Sequence, residues 1–254
     1  MTLERTTIGA PSEPQDASPS MVAGVAGAVT AEMRLQILMS EHASLTATRS
    51  LAWNESFSRA GIFLSSLSGV IVGLALIAQG SGFGDAFVIF AMVLLPVVLF
   101  IGVTSYVRMG AANYTDAVCV VGMNRIRAGY LEIAPDLERF LVMSPFDDAE
   151  GIDQTMTSPP GGSRVLQFVA GSPTLVGVLD AVVAGALGAL VALQLGLSTP
   201  LIGLTGIVVF VVTIAAHAQY AAQNIRRSIA SFAPSFPRPP RSNAAAAQGP
   251  PPVV

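Results

Sequence analysis

Two side chains in this sequence are placed where they could bind a proton inside a membrane. Asp180 is the only acid within four long apolar runs, and His217 lies in the last of these runs. A carboxylate at membrane depth is costly and usually faces a polar partner or a water-filled path. Because both residues lie at similar distances from the turn near residue 198, we expect them to lie level as an intramembrane polar pair. Such a pair either stabilises two helices or lines a path for protons.

Other residue types that do chemistry are scarce or unsuitably spaced. The single cysteine, Cys119, excludes an intrachain disulfide and a cysteine-based metal motif. An acidic cluster at residues 147–153 lacks the ligand spacing of a calcium loop and is interpreted as a solvated acidic turn. No nucleophile, phosphate-loop or zinc-enzyme motif is present in the sequence. We therefore expect no catalytic residue, no metal, no cofactor and no enzymatic activity.

The composition is typical of a membrane protein. Of the 254 residues, 52% are hydrophobic and only 11% are charged, whereas soluble domains carry about 25% charged residues. The net charge of −3 gives no indication of a nucleic-acid partner. The sequence therefore predicts an all-α integral membrane protein in contact with membrane lipid.

Four apolar runs are long enough to cross a bilayer, which takes about 20 residues of helix. They cover residues 60–78, 86–107, 174–195 and 201–220. Only short connections join the first two runs and the last two, so each pair is predicted to form a helical hairpin. The first hairpin, with helical extensions beyond the membrane, covers residues 29–134, and the second covers residues 173–222.

The arginines predict the orientation of these hairpins. All 13 basic residues are arginines, and every one lies on the same side of the predicted spans. Basic residues accumulate on the cytoplasmic side of membrane proteins. We therefore expect both termini in the cytoplasm and a location in the inner (plasma) membrane.

Opposite charges on the two cytoplasmic extensions predict how these extensions pack. If the first hairpin folds symmetrically about its turn, three pairs of residues come level. These pairs are Arg49 with Asp116, Glu41 with Arg125, and Glu55 with Arg108. Exposed ion pairs contribute only about 0–1 kcal/mol each, so we expect them to set the register of the helices more than their stability.

Small residues recur at every fourth position in two of the spans. The first row is Gly61, Ser65, Gly69 and Gly73, and the second is Gly177, Ala181, Gly185 and Ala189. Such rows let helices approach closely in lipid, so both predict helix contacts within one chain or between chains. Pro96 lies inside the second span and predicts a helix kink there.

The remaining segments show no helical periodicity. Residues 1–28 are predicted to be a disordered N-terminal tail, and residues 135–172 an irregular cytoplasmic linker. Residues 223–254 are rich in proline and alanine and are predicted to be a disordered C-terminal tail.

Two stretches resemble an uncharacterised bacterial family of small multipass integral membrane proteins. The stretches are HASLTATRSLAWNESFSRAGIFLSSLSGVIVGLALIAQ, residues 42–79, and GMNRIRAGYLEIAP, residues 122–135. The resemblance covers about residues 35–150; it implies a bacterial membrane protein and adds no catalytic residues. The order of a cytoplasmic helix, two spans and a second cytoplasmic helix is also similar to two-span bacterial membrane effectors, although this chain has a second hairpin and no fused sensor domain.

Two functions are compatible with these features. The first is a scaffold or accessory subunit that assembles through its small-residue rows, as a homo-oligomer or within a larger membrane complex, and engages a cytoplasmic or membrane partner. The second is an oligomeric channel or transporter with Asp180 and His217 on a polar path.

Overall fold

A computed structural model describes residues 29–156 and 171–239. Helix accounts for 86% of these described residues, and none of them lies in a strand, which confirms the all-α prediction. The N-terminal tail, residues 157–170 of the linker and the end of the C-terminal tail lie outside the described residues.

Five α-helices make up the described chain. They are α1 (Ala31–Ser81), α2 (Asp85–Ile133), α3 (Ala149–Thr155), α4 (Ser172–Gln194) and α5 (Thr199–Ser231), with a short 3₁₀ helix at Pro135–Phe140. Helices α1, α2, α4 and α5 are each long and apolar enough to cross a membrane. The 3₁₀ helix and α3 lie in the range predicted to be an irregular linker.

The ends of the long helices follow from local sequence. The side chain of Thr30 accepts a hydrogen bond from the backbone N–H of Met33 at 3.2 Å, which caps the start of α1. Helix α1 ends at Gly82, whose φ of 66° is a left-handed conformation that favours glycine. Helix α2 continues through Pro96 and ends at Ile133, because Ala134 precedes Pro135 and a residue before proline is disfavoured from the helical conformation.

Helix α2 lies at the centre of the packing. It contacts α1 along one side, and it also packs against α4 and α5. The buried core joins three helices: Phe63 from α1, Tyr106 and Met109 from α2, and Val176 and Val183 from α4. The two pairs of long helices therefore form one packed body.

The two rows of small residues differ in what they contact. On α1, a methyl group added at Gly61, Gly69 or Gly73 would meet no atom of the described chain within 4 Å. On α4, the same addition at Gly185 would lie 2.9 Å from the carbonyl oxygen of Gly206 on α5. The second row therefore lies in a helix contact within the chain, whereas the first row faces outward.

The C-terminal part differs from the predicted tail. Helix α5 continues through Ser231, well beyond the predicted end of the last span. The chain after it folds back, and the backbone N–H groups of Ser235, Phe236 and Arg238 donate to aspartate side chains in the linker. These hydrogen bonds hold the backbone of the segment in place, which its aperiodic sequence did not predict.

Candidate functional site

The structure brings Asp180 and His217 together. Asp180 lies on α4 and His217 on α5, and Nε2 of the histidine is 3.3 Å from Oδ2 of the aspartate. Asp180 has no exposed surface, and His217 is 9% exposed. The pair is therefore enclosed by protein rather than aligned along an open path.

His217 is held in place by three contacts. Its Nδ1 lies 2.8 Å from the carbonyl oxygen of Thr213, one turn earlier on the same helix. The hydroxyl of Tyr106 donates to the backbone carbonyl of His217 at 2.9 Å. The two rings also meet edge to face with centroids 4.4 Å apart, a favourable aromatic geometry. Helix α2 therefore fixes the position of α5 through this histidine.

Asp180 packs closely against α2 at Gly102, where a residue with a side chain would not fit. A Cβ added at Gly102 would overlap Oδ1 of Asp180 and would lie 2.8 Å from the Phe63 ring. Neither carboxyl oxygen accepts a hydrogen bond from any described residue. The 3.3 Å approach of His217 is therefore an electrostatic contact without good hydrogen-bond alignment.

The contact of His217 with Thr213 fixes the tautomer of the ring. A carbonyl oxygen can only accept a hydrogen bond, so Nδ1 of His217 carries a hydrogen directed at Thr213. Nε2 is the ring nitrogen that faces the buried carboxyl group of Asp180.

Two of the three expected cytoplasmic ion pairs come together. Arg49 Nε lies 2.6 Å from Oδ1 of Asp116, and the same oxygen accepts a hydrogen bond from Trp53 at 2.9 Å. Arg108 lies 2.5 Å from Glu55. The side chain of Asp116 is mostly buried, whereas those of Arg108 and Glu55 are partly exposed, so the first pair contributes more to packing than the second.

The pairing of Arg125 with Glu41 is wrong. Glu41 is exposed, and Nε of Arg125 instead lies 2.7 Å from Oδ2 of Asp147. The reason is the loop after α2, which folds back over Asn124. The amide of Asn124 donates to two carbonyls of this loop, at Phe146 and Gly151. This anchoring places Asp147 beside Arg125.

The interpretation of residues 147–153 as a solvated turn is wrong for Asp147, which is only 1% exposed. Asp147 accepts hydrogen bonds from the backbone N–H groups of Ser235 and Phe236, each at 2.8 Å, and from Arg125. We call residues 233–238, bound in this way, the C-terminal clasp. Burial by itself raises the pKa of Asp147, but the bonds from Ser235, Arg125 and Phe236 outweigh burial and hold the pKa below its usual value.

The next aspartate extends the clasp. Asp148 accepts a hydrogen bond from the N–H of Gly151 at 2.7 Å, which caps α3, and one from the N–H of Arg238 at 2.9 Å. The guanidinium of Arg238 lies 2.5 Å from Glu150 and donates to Gln154 at 3.0 Å. The acidic cluster therefore binds the protein's own C-terminal segment. The described residues contain no group of three His, Cys, Asp or Glu side chains that could hold a metal ion.

Arg127 is a buried cation that the sequence did not single out. It is 8% exposed and donates to Oδ1 of Asn124 at 2.7 Å and to the sulfur of Met143 at 3.4 Å. Burial lowers the pKa of Arg127, and the charge of Arg49 adds to this effect. Burial and the charge of Arg127 in turn lower the pKa of His42, so this histidine is neutral at pH 7.

No protein-family model, no curated protein and no solved structure matches this chain.

Proposed function

We propose that this chain is a four-span membrane scaffold or accessory subunit of the bacterial inner membrane, with both termini in the cytoplasm. On this proposal, helices α1, α2, α4 and α5 form two membrane hairpins, and the outer parts of α1 and α2 project as a paired arm. The arginine distribution supports this orientation, because all 13 arginines lie on one side of the four apolar segments.

The observation that carries the proposal is an apolar face on the projecting part of α1. Met33 and Ile37, one turn apart, are 52% and 61% exposed. They lie on a different side of α1 from Leu38 and Leu45, which pack against α2. Neighbouring large apolar side chains exposed on a helix outside the membrane are a typical protein-binding surface. We propose that a helical or grooved partner protein covers this face.

The outward-facing glycines of α1 support assembly within the membrane. Gly61, Gly69 and Gly73 leave a smooth strip on the span, and no part of the described chain covers it. Helices in lipid associate through such strips, because close backbone approach replaces the missing hydrophobic driving force. This strip suits contact with a second copy of the chain or with a span of another subunit.

The arm is tested by changing one residue of its apolar face. Ile37→Glu places a charge in this face beside Met33, whereas Gln36→Glu adds the same charge at the neighbouring exposed position. Tagged wild-type protein and both variants are purified from native membranes in mild detergent, and the native mass of each complex is measured. We expect a defined larger complex for the wild type and for Gln36→Glu, and its loss for Ile37→Glu. Equal masses for all three proteins would contradict the assignment of this face.

A second candidate is proton transfer through the pair of Asp180 and His217. The observation that favours it is a fully buried carboxyl group that accepts no hydrogen bond from the described residues, since such groups inside membranes are commonly proton carriers. Asp180→Asn in liposomes distinguishes the two functions. Proton flux that requires Asp180 supports transfer, whereas a change in melting temperature alone leaves the pair as a structural contact.

A further inference from the structure

Arg127 lies in the interior of the arm without a counter-charge. It is 8% exposed, and its guanidinium donates only to Oδ1 of Asn124 at 2.7 Å and to the sulfur of Met143 at 3.4 Å. No carboxylate of the described residues forms an ion pair with it. A buried charge with only neutral partners is costly, because these partners do not replace the water that the charge has lost.

The neighbours of Arg127 do not supply the missing negative charge. The amide of Asn124 uses both of its hydrogens on the loop after α2, and its oxygen accepts from Arg127 and from Thr155. Asn124 therefore has no hydrogen-bonding capacity left, and it holds the guanidinium in a fixed position. Arg49 acts on Arg127 by its charge, but it is a cation and is already paired with Asp116. One positive charge is therefore left unbalanced by the described residues.

One edge of the guanidinium remains available for binding. A guanidinium has five N–H hydrogens, and Nη1 and Nη2 of Arg127 each use one of theirs. Nε makes no hydrogen bond with a described residue, yet it is not among the unpartnered polar atoms that are sealed from solvent. Nε therefore reaches solvent. Through Nε and an adjacent Nη, an arginine donates two parallel hydrogen bonds to one carboxylate.

The position and the charge of this edge select its ligand. Arg127 lies about 30 Å along α2 from Val107, the predicted end of the second span. In the proposed topology, a lipid headgroup does not reach that far. A carboxylate carries one negative charge and balances the one positive charge of Arg127, because the neighbouring His42 is neutral. A phosphate group carries about −1.5 to −2 at pH 7 and would leave an excess of negative charge.

From these observations we infer that the open edge of Arg127 binds a carboxylate group, carried by a small organic acid or by an acidic side chain of a protein partner. The site requires the arm to lie in the cytoplasm, as in the proposed function, but it does not depend on the apolar face around Ile37. Carboxylate binding to the purified protein and loss of the complex in Ile37→Glu are therefore independent results.

Acetate is the probe, and chloride at the same ionic strength is the reference anion. Acetate is titrated at neutral pH into the detergent-solubilised protein after removal of any bound partner, and the melting temperature is recorded. We expect a saturable rise of at least about 2 °C for the wild type. Arg34→Met removes an exposed arginine of the same arm and should leave this rise unchanged.

Substitutions of Arg127 separate its charge from its shape. Arg127→Met replaces the unpaired cation by an apolar side chain, so it should fold and should show no acetate-dependent rise. Arg127→Lys keeps the charge but loses the two-pronged geometry, so its apparent affinity for acetate should be at least about tenfold weaker.

His42 gives a second readout that follows the charge of Arg127. Burial and the charge of Arg127 lower the pKa of His42, so a bound carboxylate should raise this pKa toward its usual value. The chain has two histidines, so the ring signal of His42 can be followed by NMR of histidine-labelled protein and identified with His42→Gln. A pKa of His42 that is the same in saturating acetate and in chloride overturns the inference.

The native complex distinguishes the two sources of the carboxylate. If the complex as purified does not respond to acetate while the partner-free protein does, an acidic side chain of the partner binds Arg127. If both respond, the ligand is a small organic acid. Absence of a saturable response in the partner-free wild type overturns the inference, as do equal responses of the wild type and Arg127→Met. Tighter binding of phosphate than of acetate overturns the choice of a carboxylate.

Discussion

Replacing Asp147 by Asn removes the negative charge at the centre of the C-terminal clasp and preserves the shape of the side chain. The carboxylate accepts bonds from two backbone N–H groups, at Ser235 and Phe236, and from the guanidinium of Arg125. An asparagine has one acceptor oxygen and one donor NH₂ group. In either orientation of the amide, at least one donor of the clasp faces another donor, and Arg125 loses its counter-charge.

The cost follows from the burial of these groups. Hydrogen bonds to a charged group contribute about 1.5–3 kcal/mol each. The share of Arg125 is smaller, because its side chain is 38% exposed and is screened by solvent. We expect the clasp to lose about 2–4 kcal/mol of docking free energy. At about 1.4 kcal/mol per factor of ten, this lowers the docking equilibrium roughly 30-fold to 1,000-fold.

Hydrogen exchange measures this docking locally, because the exchange of each amide reports the opening of its own segment. In Asp147→Asn the amides of Ser235, Phe236 and Arg238 should exchange roughly 30-fold to 1,000-fold faster. Asp136→Asn, at an exposed acid of the 3₁₀ helix, should leave their exchange unchanged. Protection in Asp147→Asn within threefold of wild type would refute the reasoning, because the carboxylate would then not hold the clasp.

The same carboxylate predicts the pH dependence of docking. The pKa of Asp147 is lowered in the folded protein relative to its ordinary value of 3.8. A lowered carboxyl pKa contributes stability that is complete above the ordinary value and is lost as pH falls through the folded pKa. Amide protection of the clasp should therefore be constant from pH 8 to about 5 and should decline below about 4. A decline that begins near neutral pH would assign docking to a different group.

The remaining predictions concern the helices. Gly102→Ala should lower the stability in detergent by about 1–3 kcal/mol, because the added methyl group overlaps the buried carboxyl group of Asp180. Gly69→Ala lies in open space on α1 and should raise the stability by up to about 1 kcal/mol. Equal melting temperatures for the two variants would contradict the packing of α2 on α4. The pKa of His42 lies below 6.5 in the folded protein, so the unfolded chain binds more protons as pH falls below 6.5 and stability declines. His42→Gln should flatten this decline between pH 7 and 5.5, and an unchanged slope would exclude His42 as its source. Burial raises the pKa of the Cys119 thiol. Maleimide should therefore label Cys119 at least about tenfold more slowly in the folded protein than in the denatured protein. Equal labelling rates would show that the thiol is accessible in the folded protein.

Features with short-range causes could be predicted from the sequence. The four apolar helices follow from uninterrupted runs of about the length of a bilayer. The approach of Asp180 to His217 follows from counting residues back from a tight turn, because rise per residue is the same in both helices. The contact of Arg49 with Asp116 follows from the same counting in the first helix pair. In each case one turn determines which residues lie level.

Features that depend on contacts between segments far apart in the sequence could not be predicted. The burial of Asp147 depends on Ser235 and Phe236, which lie far along the chain and have no periodic pattern. The same spacing of small residues occurs on α1 and α4, yet only the surrounding helices determine that Gly185 is packed and Gly69 is open. The position of Arg127 in the interior is set by the loop over Asn124, and nothing in its neighbouring residues indicates burial.

We propose that four spans place the apolar face of α1 and the clasp in the cytoplasm, and the accessibility of single cysteines measures this topology. In a Cys119→Ser background, single cysteines replace Ser44 on the arm, Ser81 at the first turn and Ser198 at the second, all three exposed. Spheroplasts are treated with a membrane-impermeant maleimide before and after permeabilisation. With this topology, Ser81→Cys and Ser198→Cys should react in intact spheroplasts, whereas Ser44→Cys should react only after permeabilisation. Reaction of Ser44→Cys in intact spheroplasts, or protection of either turn until permeabilisation, would contradict it.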